Sequence, residues 1–332
     1  MRAYQLTPDG GVDGIVPVEL PEPSPGPGEV LIGVKATSLN YRDLLIARLT
    51  RRPLIPLSDG AGVVTAVGPG VTDIAPGDRV AGCFFRAWPD GDVAPDYIRE
   101  ALGGGDVEGM LAERVVLPAG AVVRLPAYLS DEEAATLPCA ALTAWNALFV
   151  QARLRPGQSV LLLGTGGVSI AALQLARLAG VRTIITSSSD AKLERARALG
   201  ADATINYRAH EDWERPVLEL TDGRGVDLVL EVGGAATFPK SMAATRVGGD
   251  VVLIGALAHE GRDPGTAPLV ARNIRATRIY VGSRRMFEEM LRALALREVH
   301  PVIDRVFPFE DAAGAYRLLE SQQHFGKIVI RL

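Results

Sequence analysis

The stretch Val160-Leu-Leu-Leu-Gly-Thr-Gly-Gly-Val-Ser169 constrains this chain more than any other. Its four leading apolar residues read as a strand buried on both faces. The run stops at Gly164-Thr165-Gly166-Gly167, and an apolar helical pattern follows from Val168 to Leu178. Strand, glycine turn and helix, in that order, build a dinucleotide pyrophosphate site. Gly164 permits the tight turn. Gly166 lets the backbone approach phosphate with no Cβ in the way. The first N–H groups of the helix, and its dipole, then face the anion. Gly164, Thr165, Gly166, Gly167 and Val168 are therefore the expected phosphate-binding residues. Ser169 stands where the usual fingerprint has its third glycine, and is still small enough for close helix–strand packing. The plainer alternative is an ordinary glycine-rich turn of an α/β unit.

From about residue 158 strands and helices alternate. Strands are expected at Ser159–Leu163, Val181–Thr186, Ala203–Ile205, Val226–Val232, Gly249–Ile254 and Arg278–Val281. Helices are expected at Gly167–Ala179, Asp190–Leu199, Trp213–Leu220 and Phe238–Thr245. Such alternation specifies a parallel, doubly wound sheet. The part before about residue 125 is β-rich instead. Short β-prone runs (Glu29–Ala36, Gly62–Val67, Arg79–Cys83, Leu111–Leu117) are separated by Pro and Gly clusters, a pattern that suggests a small barrel. Pro21-Glu-Pro-Ser-Pro-Gly-Pro-Gly28 is a stiff connector, and the polar, glycine-rich residues 86–110 read as an excursion from the barrel. Ser130-Asp-Glu-Glu133 has the form of a capping box and opens a helix through Ala134–Val150, with Pro138 as a point of interruption. The tail is mixed: helix Arg285–Leu296, strand Val302–Phe307, helix Glu310–Glu320, strand Lys327–Arg331.

Composition excludes several classes of function. The chain has 332 residues, enough for about two domains. Its formal net charge of −4 makes no electrostatic case for nucleic acid or an anionic membrane. Two cysteines far apart, Cys83 and Cys139, form neither a disulfide framework nor a Cys-x-x-Cys metal site. The first residues lack the apolar core of a signal peptide, and the run at 160–163 is far shorter than a membrane span. A reducing cytoplasm is the expected compartment.

Several stretches, in order, resemble the medium-chain dehydrogenase/reductase superfamily, which contains zinc alcohol dehydrogenases and zinc-free quinone reductases. They are Pro25-Gly-Pro-Gly-Glu-Val-Leu-Ile, Ser58-Asp-Gly-Ala-Gly-Val-Val-Thr-Ala-Val-Gly, Pro76-Gly-Asp-Arg-Val, Ala134-Ala-Thr-Leu-Pro-Cys-Ala-Ala-Leu-Thr-Ala-Trp, Gly164-Thr-Gly-Gly-Val, Gly200-Ala-Asp and Glu231-Val-Gly-Gly. The resemblance implies an α/β protein: a GroES-like β-barrel catalytic domain (1–124 and 286–332) plus a Rossmann dinucleotide-binding domain (125–285). The catalytic zinc ligands of the zinc enzymes match Asn40, Ser58 and Cys139 here. One thiol, one amide and one hydroxyl do not make the three-ligand set of a catalytic zinc site. The structural zinc lobe has no cysteine in 84–112, and none of His210, His259, His300 and His324 has a neighbour at metal-ligand spacing in the catalytic half. No metal is therefore expected. Without a Lewis acid the acceptor must already be electrophilic: a quinone, an enone or an activated carbonyl.

Asn40-Tyr-Arg-Asp43 stands where the zinc-free branch carries its Asn-Tyr motif. By resemblance Asn40 is an amide donor to a substrate oxygen or to the nicotinamide carboxamide, and Tyr41 a second donor or proton source. Tyr41 reads equally as a packing residue, and Asp43 either joins the site or pairs with a basic side chain. Cys139 is read as a small apolar residue within a helix. Thr143 faces the cofactor by analogy. Phe84, Phe85 and Trp88 either line the pocket or pack a core.

An NAD site places an acid at the end of its second strand. Ser187 aligns there, and Asp190 reads as the N-cap of the next helix. The hydroxyls of Ser187 and Ser188 with Lys192 suit a 2′-phosphate, and Tyr207 resembles the tyrosine that covers the adenosine phosphate in zinc-free relatives. The expected cofactor is thus NADP(H) rather than NAD(H). The turns holding Gly233, Gly255 and Gly282 complete the expected cofactor contacts.

The leading reading is a zinc-independent, NADPH-dependent reductase of a small-molecule acceptor. A zinc-free alcohol dehydrogenase or ketone reductase is the alternative, and a nucleotide-binding sensor without turnover is the third. The run Arg278–Val281, as the last strand, leaves a sheet edge, and relatives pair that edge across a two-fold axis. A homodimer is expected by resemblance.

Overall fold

The computed structural model describes residues 1–255 and 267–332. β1 (Arg2–Leu6) and β2 (Ile15–Glu19), unpredicted from sequence, pair antiparallel. β3 (Glu29–Ser38) follows the connector, whose prolines offer no ladder donors. α1 (Tyr41–Leu49) is a further addition; it buries only Asp43, Leu44 and Ala47, too few apolar positions for a periodic signal. β4 (Asp59–Val67) and β5 (Arg79–Gly82) come next. Gly62 of β4 has a physical cause: a Cβ there would stand 2.2 Å from the Gly33 carbonyl oxygen on β3.

Residues 86–110 pack rather than extend. Leu102 N–H donates to Phe84 O (3.0 Å), Arg86 N–H to Glu100 O (3.0 Å), and a short α2 (Pro95–Arg99) lies between. β6 (Arg114–Pro118) and β7 (Val122–Arg124) follow. The capping box forms as expected: Ser130 N–H donates to Glu133 Oε2 (2.9 Å) and Glu133 N–H to Ser130 Oγ (3.1 Å). The helix it opens, α3, spans only Asp131–Ala134. Pro138 lacks the N–H an α-helix needs there, and the chain resumes in π-helical turns, Leu137–Ala141 and Asn146–Gln151, around an α turn at Leu142–Trp145.

Beyond it lie β8 (Ser159–Leu162), α4 (Gly167–Leu178), β9 (Arg182–Ser187), α5 (Asp190–Ala198), β10 (Ala203–Asn206), α6 (Glu214–Glu219), β11 (Val226–Glu231), α7 (Phe238–Ala244), β12 (Thr245–Leu253), α8 (Ala267–Arg272) and β13 (Arg275–Arg278). The six strands are all parallel, in the order β10-β9-β8-β11-β12-β13. β8 and β11 are buried along their whole length, which explains their unbroken apolar runs. Two corrections follow. β12 begins at Thr245, where a helical residue is expected. The last strand is Arg275–Arg278, not Arg278–Val281. Its four residues, all exposed, carry no alternating strand pattern, and Ile279, just past it, is buried with its N–H bonded to Leu253 O (3.2 Å).

The tail carries α9 (Arg284–Ala295), β14 (Ile303–Pro308), α10 (Ala312–Glu320) and β15 (Lys327–Arg331). β14 and β15 join a sheet ordered β14-β15-β3-β4-β5-β7, with β6 also on β3. All its pairings are antiparallel except β14–β15. The chain forms two compact units, Met1–Leu142 with Val281–Leu332, and Thr143–Tyr280. Expected boundaries at 124/125 and 285/286 thus compare with observed ones at 142/143 and 280/281. Each unit has its own core: Leu6, Ile32, Leu57, Met110 and Tyr316 in the first, Leu161, Ile184, Val229 and Val251 in the second. Among the described residues no helix is long and apolar enough to cross a membrane.

Candidate active site

In the second unit the glycine turn sits at the carboxyl end of β8, where the strand order reverses between β8 and β11. Open α/β sheets bind ligands at that switch point. Gly164 has φ +70°, a left-handed conformation, and its N–H donates to Thr186 Oγ1 (3.1 Å) at the end of β9. Gly166 is the N-cap of α4. Where a Cβ would stand on Gly164 or Gly166, no atom lies within 4 Å. Ser169 Oγ donates to Leu163 O (2.6 Å), so the serine satisfies the carbonyl at the strand's end. The first amides of α4, those of Gly167 and Val168 among them, have no partner within the helix. Open space and unmatched donors fit a pyrophosphate; Thr165 is buried.

Ser187 and Tyr207 are brought together: Tyr207 N–H donates to Ser187 O (3.0 Å). Ser187 is buried and accepts from Ser189 N–H (3.3 Å), Ser188 and Lys192 are half-buried, and Tyr207 is exposed. The N-cap of α5 is Ser189, which accepts from Lys192 N–H (3.4 Å), and not Asp190. Asp190 is the first helical residue instead, and its carboxylate takes Asn206 Nδ2 (2.7 Å).

The three further glycines expected at the cofactor have defined local surroundings. Gly233 and Gly234 donate their N–H groups to Glu231 Oε1 (2.7 and 2.9 Å). Thr237 (2.6 Å) and Ser241 also donate to this fully buried carboxylate, so the turn is closed on itself. Gly282 is buried against Leu142 in the first unit. Gly255 is half-buried, tight against Val232 O; Ala256 of its turn and His259 lie outside the described residues. Thr143 is buried in the helical run after Pro138. A cavity of about 500 Å³ among Gln151, Arg155, Gln158, Arg246 and Arg275 lies at the opposite end of the sheet from the glycine turn.

In the first unit a buried polar cluster forms where β3, α1, β4 and β15 meet. Lys327, only 5% exposed, donates from Nζ to Leu39 O (2.6 Å), Asn40 Oδ1 (2.6 Å) and Asp59 Oδ2 (3.2 Å). Asp59, fully buried, also accepts from Ser38 Oγ (2.9 Å) and Ser58 Oγ (3.1 Å). Asn40 is the N-cap of α1, and its backbone N–H donates to Asp43 Oδ2 (2.7 Å). Asn40 Nδ2 is buried without a hydrogen-bond partner, as is Asp43 Oδ1.

Asp43 is thus a helix-capping carboxylate, not one half of a pair with Arg42. Arg42 donates to Leu102 O (2.7 Å) and lies over the Phe84 ring at 4.7 Å. Burial pushes the Asp43 carboxyl up to about 6, against the pull of Arg42 and of the Asn40 N–H. Tyr41 is half-buried and packs on the core of its unit. Phe84, Phe85 and Trp88 are buried together, with Cys139, Tyr97 and Met286 against them.

The side chains at the three zinc-ligand positions do not make a zinc donor set. An ammonium occupies the Asn40 oxygen, and Asp59 is engaged by Lys327, Ser38 and Ser58. Burial and the Asp59 charge push the Cys139 thiol far above its ordinary range, opposing the thiolate a metal needs. No group of three or more His, Cys, Asp or Glu able to hold a metal occurs among the described residues. His210 and His300 are exposed, and His300 pairs with Glu133 (2.8 Å). Sequence reasoning singles out Asn40 but not its partners in this cluster, Lys327 and Asp59. The available signal is a lone lysine opening the otherwise apolar run Lys327-Ile-Val-Ile.

A family model described as alcohol dehydrogenase GroES-like domain matches residues 26–127, and one described as zinc-binding dehydrogenase matches 167–295. A zinc-type alcohol dehydrogenase-like protein of Schizosaccharomyces pombe is 43% identical over 97% of this chain and 96% of its own. Among solved structures, an NAD-dependent alcohol dehydrogenase aligns over 100% of both chains, with 37% identity and a TM-score of 0.92. A mycobacterial protein complexed with NADPH aligns over 100% of both, with 28% identity and a TM-score of 0.83. A quinone oxidoreductase of Pseudomonas syringae pv. tomato aligns over 100% of this chain and 99% of its own, with 29% identity and a TM-score of 0.85. The two units therefore have the GroES-like and Rossmann folds.

Proposed function

The chain belongs to the medium-chain dehydrogenase/reductase superfamily of oxidoreductases, and from that premise we propose that it reduces an electrophilic small molecule with NADPH and without zinc. When bound, the nicotinamide supplies the hydride. The chain's own residues supply phosphate binding at Gly164–Val168 and a donor for the acceptor oxygen at Asn40 Nδ2. A donor aimed where negative charge develops lowers the barrier without a metal. One observation carries the reading: at the zinc-ligand positions stands an amide whose oxygen is held by an ammonium and whose nitrogen is unmatched. Such a site can hydrogen-bond an oxyanion but cannot ionise an unactivated alcohol.

For NADPH over NADH, the support is a hydroxyl at Ser187 where an acid would hold the ribose, and an Asp190 already taken by Asn206. A second reading, an NAD(P)-dependent alcohol dehydrogenase or ketone reductase, draws on the likeness to the NAD-dependent alcohol dehydrogenase. Oxidation of NADPH by a panel of quinones, enones and ketones, run beside simple alcohols with NAD(P)+, separates the two. The proposal expects turnover with quinones or enones; turnover confined to simple alcohols overturns it. We also propose a homodimer joined at β13, which ends its sheet and has all four residues exposed.

A further inference from the structure

We propose that Lys327 is a positioning residue: anchored on Asp59, its ammonium fixes which way the Asn40 amide points, so that Nδ2 and not Oδ1 is left to meet a ligand oxygen. This inference rests on the proposed function.

An Asn side chain has two nearly isosteric amide orientations, and its hydrogen-bond partners select one. Lys327 can only donate, and its three protons meet three acceptors: Leu39 O (2.6 Å), Asn40 Oδ1 (2.6 Å) and Asp59 Oδ2 (3.2 Å). A flipped amide would oppose its NH2 to the ammonium and forfeit a charge-assisted bond. Lys327 is itself anchored by the buried carboxylate of Asp59. Ser58 Oγ donates to that carboxylate (3.1 Å), and the Ser38 hydroxyl lies between it (2.9 Å) and Ala135 O (2.8 Å). The Asn40 backbone is held from the other side by Asp43, through Asn40 N–H to Oδ2 (2.7 Å). Two opposite charges thus fix main chain and side chain of one residue, and the single atom left over is Nδ2, buried and unmatched. A donor kept dry and unpaired costs stability that a ligand oxygen recovers. Glu231 is a useful contrast: this buried carboxylate accepts from four donors.

The test is a double-mutant cycle between Lys327 and Asn40, read in kcat/KM for the acceptor with NADPH saturating. Lys327→Met alone leaves Asp59 buried without its cation, so Lys327→Met/Asp59→Asn is made beside it to keep the protein folded. The expected result is a loss of about tenfold or more in kcat/KM in the Asn40 background. The same change is expected to cost nothing further in an Asn40→Ala background, because Lys327 acts only through that amide. NADPH affinity stays at the wild-type value. Equal losses in both backgrounds, or no loss in either, overturn the inference. If the wild-type chain turns over no acceptor, the functional reading fails by itself, and the Asn40 side-chain 15N–1H2 resonances decide the positioning instead. One well-resolved pair in the wild type, exchange-broadened or doubled in Lys327→Met/Asp59→Asn, supports it; an unchanged pair sinks it.

Discussion

Two buried carboxylates inside the first unit differ in their partners. Asp59 has Lys327, Ser38 and Ser58, while Asp43 has one backbone N–H and an oxygen with none. Because burial raises the folded-state pKa of Asp43 to about 6, the folded chain holds that proton more tightly than the unfolded one. Stability from this group therefore falls as pH rises from about 4 to about 6 and stays low above that. Asp43→Asn keeps an acceptor for the Asn40 N–H and removes the titration. It is expected to be more stable than wild type at pH 7.5 by roughly 1–3 kcal/mol, with the gain closing towards pH 4. Thermal unfolding at both pH values checks this; a pH-independent difference contradicts it. At Ser187 the expectation concerns selectivity: Ser187→Asp places a carboxylate at the end of β9 and shifts the kcat/KM ratio towards NADH by about tenfold or more. No shift places the selectivity elsewhere. At this scale the sequence singles out Asn40, Ser187 and Tyr207, and the structure brings Ser187 and Tyr207 together. It hid Lys327 and Asp59, because nothing local says that a lysine opening one strand will meet an acid opening another.

The elements of the second unit were legible for a simple reason. Strands buried on both faces and amphipathic helices leave strong, local, periodic signals, and the six parallel strands lie within a few residues of expectation, except at β12 and β13. β13 reads Arg-Ala-Thr-Arg, all exposed, so its pattern points inward nowhere. The first unit was less legible: β1, β2 and α1 are short and set by long-range pairing. One buried acid organises the start of several strands. Asp227 of β11 accepts from Ser159 N–H (2.9 Å) at the head of β8, from Arg224 (2.8 Å) and from Arg246 (2.7 Å) on β12. Burial alone would raise its pKa; the bonds from Arg224, Arg246 and Ser159 outweigh that and hold it well below the usual carboxylate range. Its contribution is present above the unfolded carboxylate pKa and is lost as pH falls below it. Asp227→Ala is expected to cost about 2–4 kcal/mol and to speed amide exchange along Ser159–Leu162. Unchanged exchange in β8 would show that the strand does not depend on this carboxylate.

At the scale of the whole molecule, the order of motifs along the chain said more than any single motif. It announced two folds and the tail's return to the first, because each fold needs its parts in sequence. Assembly is a separate matter, and β13 is its test. Alternate N–H groups of a strand point opposite ways, so of Ala276→Pro and Thr277→Pro one removes an outward donor. Sedimentation is expected to show a dimer for wild type and a monomer for one of the two variants. A wild-type monomer, or a dimer in both variants, contradicts the edge assignment.

The central claim is that the amide of Asn40, held by Lys327, stands where related enzymes place zinc ligands, and that hydride transfer proceeds without the metal. The most direct measurement is the rate of NADPH oxidation by a quinone or enone before and after exhaustive dialysis against a chelator, with zinc quantified in both samples. The account predicts an unchanged rate at zinc far below stoichiometric. A rate that collapses on chelation and returns with added zinc would contradict it.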